Sequence, residues 1–217
     1  MGLPSKDQVL KALSEKQFSM IESILYDPSL EQSFYLLHLH LQRLLYSAKN
    51  LNYNIDLDKV KKTLEETTPT TRTQTCCFRV IDPSYFLPAS SFTEPIPDYF
   101  RPFVENKTTY RSHYTAARER FEITGNQEVL LWNERNELTE GSITNFAVLR
   151  KLKWITPPLE CGLLDGVLRK TLLDQGTIKG VKIVEGKVFK ERLQHGEEIL
   201  LFNSVRGILK GVINICH

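Results

Sequence analysis

The stretch from Asn133 to Arg169 constrains this chain more than any other. It reads Asn133-Glu134-Arg135-Asn136-Glu137-Leu138-Thr139-Glu140-Gly141-Ser142, with Asn145-Phe146 close behind. Thr156-Pro157-Pro158-Leu159 and Gly162-Leu163-Leu164-Asp165-Gly166-Val167-Leu168-Arg169 follow. A polar turn at 134–136 lies between two apolar, β-branched runs, 129–132 and 143–149, which predicts strands on either side of it. Residues 164–175 then read as a helix stopped by Gly176. Strands feeding a glycine-opened helix need a packed unit of mixed α and β structure, and Glu140 leaves one of those strands beside Gly141.

The rest of the chain fits around that unit. Leu37, Leu41, Leu44, Leu45, Ala48 and Leu51 recur at three- and four-residue steps, so 36–51 is the clearest helix. A second helix starts at Asp56 or Asp58 and ends before Pro69. Residues 18–26 read as a strand turning at Asp27-Pro28-Ser29. Residues 75–81 form another, closed by Asp82-Pro83-Ser84, with 85–92 as a partner. Pro95, Pro97 and Pro102 make 93–106 an extended, non-helical connection. Beyond it, 108–121 reads as a helix with Tyr110, Tyr114, Ala117 and Phe121 on one face, and 181–184, 198–202 and 208–213 supply further strands. Two halves follow, an N-terminal α/β domain over 1–104 and a second over 105–217.

Composition narrows the function classes. A formal charge of +2, with acidic and basic residues interleaved, argues against a nucleic-acid or acidic-membrane partner. No apolar run approaches the roughly 20 residues of a membrane helix, and the N-terminus has no signal-peptide core, so a cytoplasmic setting is expected. Cys76, Cys77, Cys161 and Cys216 form neither a disulfide framework nor a zinc pattern. His38 and His40 point apart on a helix, so no metal site is expected.

Five features could carry chemistry. Lys107, where the proline-rich connection ends, is an amine able to condense with a carbonyl cofactor and serve as a base once burial lowers its pKa; surface lysines are far commoner. Glu140 before Gly141-Ser142 could keep a heteroaromatic ring nitrogen protonated, or simply cap local amides. Gly166 opens a helix whose first amides, at Val167 and Leu168, would favour a phosphate. Asn203-Ser204-Val205-Arg206-Gly207 is a second polar loop after a strand. Arg43 in the leucine-rich helix could reach inward to a phosphate or snorkel outward.

In this order and spacing the features resemble the fold-type IV family of pyridoxal-phosphate enzymes, the class IV aminotransferases, from Phe18 to about Gly211. The matching pieces are Ile21-Glu22-Ser23, His40-Leu41-Gln42-Arg43-Leu44 with Ser47-Ala48, Lys107, Leu138-Thr139-Glu140-Gly141 with Asn145-Phe146, and 156–169. Within the family the chain is most similar to the aminodeoxychorismate lyases, through Asn106-Lys107-Thr108-Thr109, Gly162 to Arg169 and Asn203-Ser204-Val205-Arg206-Gly207. The aminotransferases tend to carry threonine where Leu168 stands.

The resemblance implies an α+β (α/β), two-domain, D-amino acid aminotransferase-like fold with the cofactor cleft between domains. It implies pyridoxal 5'-phosphate as cofactor, anchored by Lys107, with Glu140 partnering the ring nitrogen. Arg43, Gly166, the amides of Val167 and Leu168, Asn203 and Ser204 would hold the phosphate, and Ser23 would stand near the substrate. The implied reaction converts aminodeoxychorismate to p-aminobenzoate and pyruvate in folate biosynthesis, in a homodimer linked to aminodeoxychorismate synthase. The competing readings are transamination of branched-chain or D-amino acids, and a non-catalytic relic or synthase-partner domain.

Overall fold

The computed structural model describes residues 3–67, 87–92 and 96–215. The strand expected at 75–81, its turn at Asp82-Pro83-Ser84, and Cys76, Cys77 and Cys216 lie outside the described residues.

The N-terminal part is helical. A helix the pattern reading left out, α1 (Lys6–Ser14), opens on a capping box in which Ser5 and Gln8 cap each other's backbone amides. Helix α2 (Leu37–Asn50) follows the predicted stripe, with His40, Leu41, Ser47 and Ala48 buried. Helix α3 (Leu57–Thr67) starts where Asp56 accepts the amides of Asp58 and Lys59.

Residues 18–26 do not form a strand. The segment makes only isolated bridges, Met20 to Thr108 and Tyr26 to Phe34, because the extended chain it meets is a few residues long. The proline-rich connection is also less extended than predicted. A 3-10 turn at Asp98–Phe100 runs into α4 (Arg101–Val104), whose Pro102 sits in the first turn, where a missing N–H costs no helical bond. Helix α5 (Ser112–Arg120) begins later than the 108 start expected, after 107–109 has been spent on the contact with 19–21.

The described strands form one nine-stranded mixed sheet: β1 (Leu87–Phe92), β2 (Glu128–Trp132), β3 (Leu138–Gly141), β4 (Asn145–Arg150), β5 (Lys153–Thr156), β6 (Thr177–Ile178), β7 (Val181–Glu185), β8 (Glu198–Asn203) and β9 (Gly207–Asn214). The spatial order is β3-β2-β1-β9-β8-β4-β5-β7-β6. The turn at 134–136 therefore joins β2 to β3, not to β4, which pairs with β5 and β8. Strand β1, from before the 104/105 division, pairs in parallel with β9 and β2.

The order forces curvature. In a flat sheet β3 and β4 would stand five strand spacings, about 24 Å, apart. Residues 142–144 alone join them, and that length of chain reaches only about 14 Å. The sheet therefore curls back, and the β3–β4 turn lies at its seam. Alternation along the strands feeds two cores: Phe146 and Val148 pack with Ile199 and Leu201 on one face, and Ala147 packs with Leu200 and Phe202 on the other. Helix α6 (Val167–Gln175) covers the second through Leu168 and Leu172 and begins at Val167, later than the 164 expected. Gly176, at φ 74°, ends it. No helix of the described residues is long and apolar enough to cross a membrane.

Candidate active site

A cavity of about 340 Å³ opens where the β3–β4 turn, the N-terminus of α6, the loop after β8 and α2 meet the segment entering α5. Lys107, Ser23, Glu140, Arg43, Gly166, Val167, Asn203 and Ser204 all line it. Leu168 does not; its side chain lies in the core under α6.

Lys107 is fixed by its neighbours. Its carbonyl accepts the Ile21 amide at 3.0 Å, and the Thr109 amide donates to Ser19 at 2.8 Å. Before it, Asn106 is buried, donating to the Pro102 carbonyl at 3.0 Å. Burial first, then the nearby Arg43 guanidinium, lowers the Lys107 ammonium to about 8. A lysine so placed is unprotonated often enough near neutrality to act as nucleophile or base.

Glu140 lies on β3, 5% exposed, and accepts a 2.6 Å hydrogen bond from the Tyr114 hydroxyl on α5. Burial raises its pKa to about 7, against the pull of Tyr114, the Leu164 amide, Arg111 and Lys107. Arg111 stacks over the Tyr114 ring and donates to the Ser142 carbonyl at 2.6 Å. The helical periodicity predicts Tyr114 only as part of an apolar helix face; the hydroxyl gives it a second role there.

Arg43 points inward. Its Nε and Nη2 grip Glu22 at 2.9 and 2.5 Å, and Nη1 donates to the Asp165 carbonyl at 3.3 Å. Of its five N–H groups these use three, which leaves donors for an anion in the cavity. His40, one turn earlier on α2, donates Nδ1–H to Glu22 at 2.7 Å. Burial alone would raise the Glu22 carboxyl, but the bonds from His40 and Arg43 outweigh it and hold the pKa below the ordinary range. In the sequence Glu22 stands out only as part of Ile21-Glu22-Ser23; its partners His40 and Arg43 lie 18 and 21 residues away and meet it only in the fold.

Next to Arg43, which bonds the Asp165 carbonyl, Gly166 caps α6 with no side-chain hydrogen bond to the first turn, so the amides there remain available. Asn145 donates to the Leu164 carbonyl at 3.0 Å, and a β carbon on Gly166 would run into its Oδ1. The loop after β8 is set by Asn203, whose Oδ1 accepts the amides of Val205 and Arg206 at 3.0 and 2.7 Å. Arg206 reaches the cavity wall, and its guanidinium has no partner among the described residues.

An amine and a buried carboxyl lining one cavity, together with an arginine and a helix N-terminus, suit a phosphorylated ring whose chemistry turns on proton transfer. Comparison places that arrangement in a family. A profile of the class IV amino-transferases matches residues 83–212. A Schizosaccharomyces pombe protein provisionally named aminodeoxychorismate lyase is 34% identical over 92% of this chain and 91% of its own length. The aminodeoxychorismate lyase of Saccharomyces cerevisiae is 38% identical over 51% of this chain, which spans 33% of that protein. The solved structure of a Mesorhizobium loti protein provisionally described as an amino-acid aminotransferase superposes with a TM-score of 0.76 at 28% identity, covering 91% of this chain and all of that one. The chain belongs to the class IV aminotransferase family, and its α+β fold is that of the fold-type IV enzymes.

Proposed function

We propose that the protein is a pyridoxal-phosphate-dependent aminodeoxychorismate lyase, releasing p-aminobenzoate and pyruvate. The observation that carries cofactor use is the convergence of Lys107, Glu140, Arg43 and the Gly166–Val167 amides on one cavity. The residues fit the group: Lys107 supplies an amine for its aldehyde, and Glu140 a carboxylate for its ring nitrogen. Gly166 caps α6 with no side-chain bond to the first turn, which leaves amides bare for a phosphate, and Arg43 keeps unused donors beside them. The choice of lyase rests on the S. pombe relative, matched over nearly the whole of both chains.

When bound, pyridoxal phosphate supplies an electron sink. The chain's own residues do the rest. Lys107 takes the proton from the substrate carbon that bears the amine. The ring's bond to the enolpyruvyl oxygen breaks, the electron pair leaves with oxygen, and the departing enolate takes a proton to become pyruvate. Glu140, held by Tyr114, would partner the ring nitrogen and keep it protonated. Arg206, free of protein partners among the described residues, would meet a substrate carboxylate, and Ser23 lines the same cavity. The reading carries with it a homodimer in the cytoplasm, a cleft between halves divided at 104/105, and a functional link to aminodeoxychorismate synthase.

The test pairs two measurements on wild type and Lys107→Ala: the visible spectrum with pyridoxal phosphate, and p-aminobenzoate release. A protein-bound band and product formation that both require Lys107 support the proposal. Lysine-dependent amino transfer to a keto acid, without p-aminobenzoate, would make it an aminotransferase instead. No band in either protein would leave a non-catalytic domain.

A further inference from the structure

Glu128, 2% exposed at the start of β2, takes no part in the steps above, yet it receives more hydrogen bonds than either acid that lines or braces the cavity. Its Oε1 accepts the amides of Val129 and Ser142, each at 3.0 Å, and the Ser142 hydroxyl at 2.5 Å. Its Oε2 accepts the Ile143 amide at 3.2 Å and the Thr144 hydroxyl at 3.0 Å. Every donor but Val129 belongs to the turn that follows Glu140. That turn is closed by the Gly141 amide on the Thr144 carbonyl at 2.7 Å, and it wraps so tightly that a β carbon on Gly141 would lie 2.9 Å from Glu128 Cγ and Cδ.

Helix α5 holds the same turn from the other side. Arg111 donates to the Ser142 carbonyl, Arg118 to the Ser142 hydroxyl at 2.9 Å, and Tyr114 to Glu140 itself. Arg118 also stands 3.5 Å from Glu128, so acid and helix are linked across Ser142. The segment that leads into α5 carries Lys107.

We infer that Glu128 is a positioning residue: as the anion at the centre of the 141–144 turn, it fixes the direction of Glu140 relative to Lys107. A turn bound only by its own backbone would tolerate small rotations, whereas one tied by four bonds to a single buried carboxylate does not. The inference rests on the roles proposed for Lys107 and Glu140.

Glu128→Gln is the direct test, because it keeps the shape but turns one acceptor into a donor facing donors. The phosphate contacts lie elsewhere, so the variant should bind pyridoxal phosphate within about threefold of wild type. A displacement of Glu140 by a fraction of an ångström to 1 Å should lower kcat about 10- to 100-fold. It should also move the pH midpoint of the bound chromophore, which reports on the ring nitrogen's partner. Glu137→Gln is the control, a buried acid bound to Asn133, Arg135 and Lys187 away from the cavity. It should lower the melting temperature without moving the midpoint or kcat. Should Glu128→Gln fail to fold, Thr144→Val removes one donor and carries the same test at smaller amplitude. A stable Glu128→Gln protein with wild-type kcat and midpoint overturns the inference while leaving the lyase reading intact. A wild type that forms no lysine-dependent band overturns both.

Discussion

Gly166→Ala puts the anion cradle to a test in which even the sign is informative. Gly166 sits at φ −65°, ψ 132°, a conformation alanine adopts without strain. Replacing a glycine at such a position ordinarily stabilises by about 0.4–1 kcal/mol, through the entropy of the unfolded chain. Here the new β carbon would overlap Asn145 Oδ1 and lie 3.1 Å from Asn145 Cγ. Asn145 cannot swing away freely, since it is 6% exposed and its amide is bonded to the Leu164 carbonyl. Breaking that bond costs about 1–3 kcal/mol with a buried partner left unpaired, and overpacking adds about 1–3 kcal/mol. Together the costs come to about 2–6 kcal/mol against a gain of about 0.4–1, so the variant should be destabilised by about 1–5 kcal/mol, or about 2–20 °C in Tm for a chain of this size. If the loop shifts instead, the amides of the first α6 turn move off the phosphate, and affinity for pyridoxal phosphate falls by at least about tenfold per 1.4 kcal/mol lost. Thermal melts with and without cofactor, and a fluorescence titration, separate the two routes. The double variant with Asn145→Ala should recover part of the stability by removing the obstacle. A single variant more stable than wild type, with unchanged cofactor affinity, would refute the cradle.

Three further outcomes follow from the same geometry. The Lys107 amine, lowered to about 8 by burial and Arg43, is neutral above that pH, so the rate of cofactor incorporation should rise about tenfold per unit from pH 6 to 8 and then level off; a flat profile followed at the visible band would contradict it. Arg206→Ala should raise KM for the anionic substrate about 10- to 100-fold with cofactor affinity unchanged, and an unaltered KM would remove Arg206 from the substrate site. His113 is fully buried against Phe100 and Tyr114, neither ring nitrogen has a partner among the described residues, and burial pushes its pKa down to about 3. Because the unfolded imidazole takes up its proton near pH 6.5 and the folded one does not, this residue costs about 1.4 kcal/mol of stability per pH unit as pH falls from about 6 to 4, and His113→Phe should flatten that slope in urea melts.

What the sequence made legible divides along physical lines. Helix α2 could be read because its apolar stripe is a local property of the chain, and so could the ends of α6, where Gly166 and Gly176 act within a turn of themselves. Segment 18–26 misled because β-branched and aromatic residues favour extended backbone without specifying a partner. Its partner is 107–109, some ninety residues away, and too short to make a ladder. The pairing of β2 with β3 was missed for a related reason: β3 is a four-residue strand, and the turn at 134–136 could equally have served the longer run behind it. Helix α1 differs, since its start is a local signal: the Ser5–Gln8 capping box lies within four residues of sequence.

The site shows the same division more sharply. Groups that would meet the cofactor could be placed because their chemistry limits the residue types: an amine, an acid and bare amides beside a glycine. The groups that hold them are not limited in that way. Glu22 behind Arg43, Tyr114 behind Glu140 and Glu128 behind the 141–144 turn lie 21, 26 and 14 or more residues from their partners in sequence. Many side chains could supply a hydrogen bond there, so nothing in the local pattern marks them. Yet burial makes each of them matter: a carboxylate taken out of water must find its donors inside the protein, and the donors it finds become fixed in turn. The curled sheet brings β2, β3 and α5 together at one seam, and in this chain that convergence, rather than any single motif, is what gives Lys107 and Glu140 a defined relation to each other.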